Sequence, residues 1–166
     1  MKNVIKLLVI FWLSTAVTCE KKERENCHPS IRFSNNSTKS VRANYRVLHP
    51  VHYPNPISAL ETLSYTAQHE MYKINSGEQN NTRALRSRDC IEHIFNRSDG
   101  FLDTLYLFVF DAAVIENTSW DIVVRDQLFL KRYDLTLQDL QRLNWQVTYP
   151  PTEAMRDVKQ YPPFGQ

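Results

Sequence analysis

One stretch of this chain, Leu105-Tyr106-Leu107-Phe108-Val109-Phe110, is apolar at every position, and every second residue in it is aromatic. A strand with one wet face alternates polar and apolar residues, so an unbroken run describes a strand covered on both sides. The fold must therefore supply apolar layers above and below it. Other strand signals are shorter. Ile31 to Ser34 alternates briefly and ends in the turn cluster Asn35-Asn36-Ser37. Val41, Ala43, Tyr45 and Val47 alternate with Arg42, Asn44 and Arg46, the period of a half-exposed strand with its arginines outward. These two strands are expected to pair as a hairpin. Pro50, Pro54 and Pro56 then bar the following passage from a central ladder. Residues 59–72 fit helix or strand equally, and 76–82 reads as a mobile Asn-rich loop.

The second half carries helix starts. Asp89 before Cys90-Ile91-Glu92 has the spacing of a capping box, with Ile91, Ile94 and Phe95 as one apolar face ended by 96–100. Thr118 stands three residues before Asp121 and caps a helix that turns Trp120, Val123 and Val124 inward. Leu128 to Tyr133 returns as a strand. Thr136 and Asp139 form another capping box, with Leu135 placed to staple onto Leu140. Trp145 to Tyr149 is a last strand, stopped by Pro150 and Pro151, and the later Pro162-Pro163 segment is an extended tail lying on the domain or open to a partner. Short strands with brief helices between them give an α+β class, mainly β, with a sandwich-like sheet core and several short helices. The alternative is a mixed sheet with one parallel βαβ crossover across 105–133.

The N-terminus sets the compartment. Lys2 and Lys6 precede the apolar run Leu7 to Leu13, and the small-residue stretch Ser14 to Thr18 leads to Cys19. That order belongs to a secretory signal, and the run is too short to span a bilayer. Residues 1–18 are read as a lipoprotein signal peptide, with Cys19 the lipidated residue carrying palmitate-type acyl chains. Ala16 and Thr18 depart from the usual lipobox, so ordinary cleavage after Ala16 is the competing reading. The chain has three cysteines. Lipidation of Cys19 leaves Cys27 and Cys90 as a natural disulfide pair, whereas ordinary cleavage leaves an odd set in an oxidising compartment.

Signal removal takes away Lys2 and Lys6, so Lys+Arg falls from 20 to 18 and matches the 18 Asp+Glu. A neutral chain of mixed sign has no footprint for nucleic acid. Residues 19–26 alternate in charge and read as a solvated tether, and 27–166 forms a single globular domain. Only three glycines occur, Gly77, Gly100 and Gly165, so the clustered glycines of a Walker A loop or a dinucleotide turn are excluded. No cofactor is expected.

The stretch Asp103-Thr104-Leu105-Tyr106, then Lys131-Arg132-Tyr133-Asp134-Leu135-Thr136, Leu140-Gln141-Arg142-Leu143-Asn144-Trp145 and Tyr149-Pro150-Pro151, resembles a family of small Bacteroidales lipoproteins without an assigned function. Cys27-His28, Ile31, Phe33 and Asn35-Asn36-Ser37 are similar to that family's opening strand. The resemblance implies an envelope lipoprotein on the outer membrane or cell surface, with a periplasmic location as the alternative, and implies no activity. Asp103-Thr104-Leu105 also resembles the O-glycosylation signal of Bacteroidales envelope proteins, which makes Thr104 a candidate acceptor. In that setting the Asn-x-Ser/Thr triplets at Asn35, Asn36, Asn80, Asn96 and Asn117 are turns rather than glycan sites.

The chemistry-bearing candidates are few. His49 and His52 sit in the proline-rich segment, with His28 and His69 elsewhere, and lack the convergent ligand set a metal needs. Asp111, Glu116 and Asp121 could supply paired carboxylates beside the end of the central strand, as a small periplasmic hydrolase would require. Helix caps and solvated loops explain the same residues. No nucleophile elbow is present. Trp120, Trp145, Tyr106 and Tyr133 are expected to fill the core rather than form a sugar-stacking platform. The expectation is a non-catalytic envelope module, not an enzyme, whose partners are the membrane through its lipid and a glycan or envelope protein. The hydrolase near Asp111 is the alternative.

Overall fold

The computed structural model describes residues 27–47, 71–80, 90–95 and 104–166. Their elements are, in order, β1 (Arg32–Asn35), β2 (Val41–Val47), β3 (Tyr72–Ile74), β4 (Gln79–Asn80), α1 (Ile91–Phe95), β5 (Leu105–Asp111), α2 (Ala112–Asn117), α3 (Trp120–Arg125), β6 (Lys131–Leu135), α4 (Leu137–Arg142), β7 (Gln146–Tyr149), a 3-10 turn (Glu153–Met155) and β8 (Lys159–Tyr161). One sheet has five strands in the order β3-β2-β5-β6-β8, and a smaller sheet has three in the order β4-β1-β7. The class is α+β, mainly β, as the spacing of signals indicates.

The apolar run becomes β5, the middle strand of the larger sheet. Its side chains alternate between two cores. Leu105, Leu107 and Val109 join Val41, Ala43, Tyr133 and Leu135 in a cluster that also takes Ile31, Phe33 and Val147 from the smaller sheet. The two sheets therefore share one core in the manner of a sandwich. Phe108 and Phe110 point the other way, into a second cluster with Met71, Ile115, Trp120 and Val123, where α2 and α3 roof the sheet. Each fully buried side chain of this size contributes roughly 1.5–3 kcal/mol relative to exposure. Both layers demanded by the continuous run are thus present.

The expected hairpin of the first two strands does not form. β1 pairs in parallel with β7, from Arg32↔Gln146 to Asn35↔Tyr149, and antiparallel with β4, whereas β2 pairs antiparallel with β5 along its whole length. The chain changes sheets at Asn35, which is fully buried. Its side-chain amide donates to the carbonyls of Lys39 (2.7 Å) and Ile74 (3.0 Å), and its oxygen accepts from the N–H of Ser37 (3.1 Å). That fixed corner aims β2 away from β1. The parallel crossover across 105–133 is also corrected, since β5 and β6 run antiparallel, Leu105 opposite Leu135. The helices between them serve as a roof rather than as a crossover.

Smaller corrections have local causes. Residues 76–82 were expected to be a mobile loop, but Asn75–Glu78 makes a turn with Gly77 at φ +72° and leads into β4 on the edge of β1. The Thr118 cap shifts to Ser119, because α2 occupies 112–117 and leaves Thr118 as its C-cap. The strand expected from Leu128 begins at Lys131, after Gln127 turns the chain at φ +52°. The tail contains β8, paired with β6, and is held by the Lys131 ammonium, which donates to the carbonyls of Pro162 (2.7 Å) and Pro163 (3.3 Å). Thr136 and Asp139 do form the reciprocal capping box. The proline-rich passage, residues 59–70 and Asp89 lie outside the described residues.

Candidate functional site

The three carboxylates singled out as a hydrolase set serve separate structural tasks. Asp111 ends β5 and caps α2, accepting from the N–H of Ala113 at 2.9 Å, and it also meets the Lys39 ammonium at 3.3 Å. Glu116 is bound by Arg42 (3.0 Å) and Lys73 (3.2 Å) on neighbouring strands. Hydrogen bonds from those two cations, Arg42 first, hold its carboxyl below the usual range. Asp121 stands exposed in the first turn of α3, a place where negative charge suits the helix dipole. Among the described residues these three share no partner.

A denser cluster forms where the first described residues meet α1. Cys27 and Cys90 lie at disulfide distance, with Cα atoms 5.0 Å apart. Next to them, the N–H of His28 donates to Glu92 (2.9 Å), the His28 ring Nδ1 meets the other Glu92 oxygen, and the N–H of Ile91 donates back to the His28 carbonyl (2.9 Å). Burial works to raise the Glu92 pKa and is its largest single influence. The hydrogen bonds from the His28 backbone and ring, with that from its own N–H and the electrostatic pull of His28, together outweigh it and leave the carboxyl below its usual range. The Glu92 carboxylate thus reaches across to His28, 64 positions away. The imidazole lies flat on the indole of Trp145. Trp145 follows α4 with Asn144, both in the left-handed region, at φ +59° and +50°. Two successive non-glycine residues there are uncommon, and a bulky one is strained. The backbone repays this with bonds from Trp145 N–H to Leu140 O (2.8 Å) and from Arg32 N–H to Trp145 O (2.8 Å), the second tying α4's exit to β1.

A second polar group lies on the roofed face of the larger sheet, toward β8. Arg132 and Asp134, two apart on β6, form a buried two-point ion pair at 2.8 and 3.2 Å. Lys159 on β8 reaches the same carboxylate at 3.2 Å. The Arg132 guanidinium stacks 4.1 Å from the centre of the Tyr161 ring and 5.9 Å from that of Tyr106. Trp120, Trp145 and Tyr133 are buried as expected, and Tyr106 is half-buried. Burial, with Tyr149 adding to it, pushes the Tyr133 hydroxyl far up, and that hydroxyl donates to the Thr148 carbonyl across the shared core. Tyr161, at 39% exposure on the edge strand, is left facing solvent.

Sequence reasoning missed the partners of His28 and the Arg132–Asp134 pair. Two oppositely charged residues at i, i+2 on a strand share a face, which was the available signal for the second. Nothing local signals the first, because His28 and Glu92 are 64 positions apart. Thr104 is half-buried at the entry to β5. Cys19, His49, His52 and His69 lie outside the described residues. Among the described residues, no group of three His, Cys, Asp or Glu side chains could hold a metal ion, and no helix is long and apolar enough to cross a membrane. No protein-family model, curated protein or solved structure matches the chain.

Proposed function

We propose that this protein is a lipid-anchored module of the cell envelope, displayed at the outer membrane or cell surface, that binds a glycan or another envelope protein, or serves a structural role, without catalysing a reaction. The observation that carries the reading is the pairing of Cys27 with Cys90. It leaves Cys19 as the odd cysteine, at the end of a short apolar leader, where lipid attachment resolves the count. The likeness to small Bacteroidales lipoproteins supports the same placement.

The non-catalytic part of the reading is supported by what the polar candidates do. Asp111 caps a helix, Glu116 bridges two cations, and the Arg132–Asp134 pair fixes a strand face. Catalysis asks for groups that converge on one reacting atom, and here each has a separate partner. A screen of purified protein against glycoside, ester and peptide substrates, run beside glycan and envelope-protein binding, tests the proposal. Binding without turnover is expected. Turnover that disappears in Asp111→Asn, a change that preserves the helix cap, would establish the hydrolase instead.

A further inference from the structure

We propose that the strip of the larger sheet running from Arg46 past Tyr106 to Tyr161 binds an acidic glycan, one whose sugars carry carboxylate or sulfate groups. The proposal rests on the glycan-binding branch of the reading above and gives it a site. Directly opposed residues of antiparallel strands share a face. The register therefore sets Arg46, Tyr106, Asp134 and Lys159 in one row across β2, β5, β6 and β8, with Arg132 and Tyr161 in the row beside it. Three inter-strand spacings make the row about 14 Å long, the reach of a short oligosaccharide rather than of one sugar.

Arg46 is the anchor. Arg42, on the same face of the same strand, shows what a structural arginine does here. Its Nε is buried and unpaired, but its terminal nitrogens donate to the Met71 carbonyl (2.6 Å) and to Glu116 (3.0 Å). Arg46 is half-buried with the same unpaired Nε, yet among the described residues no ion pair or hydrogen bond engages its guanidinium. A charged donor buried without a partner costs free energy that no contact of the fold offsets. Its planar fork is the shape that holds a carboxylate or sulfate at two points.

Charge and aromatic surface agree with that anchor. The two rows carry three cations, Arg46, Arg132 and Lys159, against the single acid Asp134, which leaves two positive charges in excess. Asp134 is itself buried and already taken by Arg132 and Lys159. Tyr161 is held by the Arg132 guanidinium 4.1 Å from its ring centre and keeps 39% of its surface exposed. Tyr106 is half-buried at the margin of the roofed cluster. Rings fixed in this way offer flat apolar surface to the C–H faces of sugars, while Arg46 and the exposed Lys159 stand at the two ends of the row for acidic substituents. An acidic peptide matches the charge but brings no flat apolar faces to the rings.

Titration calorimetry of the purified full chain tests the proposal with trisaccharides of galacturonate, of sulfated galactose and of unmodified galactose, beside a hexaglutamate peptide. At least one acidic trisaccharide should bind about tenfold or more tightly than the neutral one. Arg46→Met should weaken that binding by about tenfold or more. It should not lower the urea midpoint, because it removes an unsatisfied group and keeps the apolar stem. Tyr161→Leu, which keeps apolar bulk beside Arg132 but no ring, should weaken binding as well. Failure of both acidic trisaccharides to bind would overturn the proposal. So would undiminished binding by Arg46→Met, a lowered midpoint in that variant, or tighter binding of hexaglutamate than of either acidic sugar. Binding of the neutral trisaccharide alone, unchanged in Arg46→Met, would overturn this site while leaving the glycan-binding reading in place.

Discussion

The His28 ring lies parallel to the Trp145 indole, with centroids 4.2 Å apart and planes 12° from parallel, and Trp145 itself occupies the left-handed region at φ +59°. Backbone strain of that kind costs about 1–3 kcal/mol and persists only where surrounding contacts determine the conformation. Here those contacts are the stack, the bond from Arg32 and the bond to Leu140. His28 thus links two distant parts of the chain, the segment before β1 and the exit of α4.

Glu92 makes that link sensitive to acid. A carboxyl whose pKa is lowered by folding stabilises the folded state above its unfolded pKa, and the contribution fades as pH falls through the lower folded value. Because the Glu92 carboxyl is held down by His28, Glu92→Gln should cost roughly 1–2 kcal/mol near neutral pH. The gap to the unmodified protein should begin to narrow below about pH 4, where carboxyls protonate in the unfolded chain, and close only below the lower folded value. Urea unfolding at stepped pH measures it. A gap of constant size across the series would show that charge on Glu92 is not what stabilises its contact with His28.

Asn35 should be among the least replaceable polar residues. Asn35→Ala leaves the carbonyls of Lys39 and Ile74 without their donor in the protein interior, at a cost of about 2–3 kcal/mol. Chemical denaturation reads this directly, and a loss under about 0.5 kcal/mol would mean that water satisfies the corner just as well.

The Arg132–Asp134 pair should behave as a buried ion pair does. Asp134→Ala strands a guanidinium that is 5% exposed and should destabilise by about 3–5 kcal/mol. Arg132→Met combined with Asp134→Leu should recover most of that loss, because two apolar side chains of similar size carry no desolvation penalty. Equal losses in the single and double variants would assign the effect to packing rather than charge.

Asp111 is the residue on which the catalytic alternative rests, and its stability role is separable from it. Asp111→Ala removes the cap of α2 and should cost about 1 kcal/mol, whereas Asp111→Asn should cost little, since Asn caps as well as Asp. Thermal unfolding of the two variants distinguishes them. Identical melting temperatures would leave the Ala113 bond without energetic weight.

What was legible in the sequence was whatever depended on neighbours along the chain. The continuous run 105–110 announced a strand buried on both faces, Thr136 and Asp139 announced their cap, and the cysteine count announced the bridge. Pairings between distant segments left no local mark. β1 finds its parallel partner β7 more than a hundred positions later, so the neighbouring β2 looked like its natural mate. β8 was hidden because three residues running into Pro162 and Pro163 carry too short a pattern to read as a strand. Helix α2 was missed for a related reason: Asp111 and Glu116 drew notice as carboxylates, although Asp111 begins a helix. The candidate site followed the same rule, since His28 and Glu92 become partners only through the fold.

The envelope-lipoprotein account rests most directly on the fate of the three cysteines. Intact-mass analysis of protein extracted from membranes, without reductant, reads all three at once. The account predicts a chain beginning at Cys19, carrying two or three acyl chains, and lighter by two hydrogens for the Cys27–Cys90 bridge. A soluble product beginning at Val17, with no lipid, would contradict it.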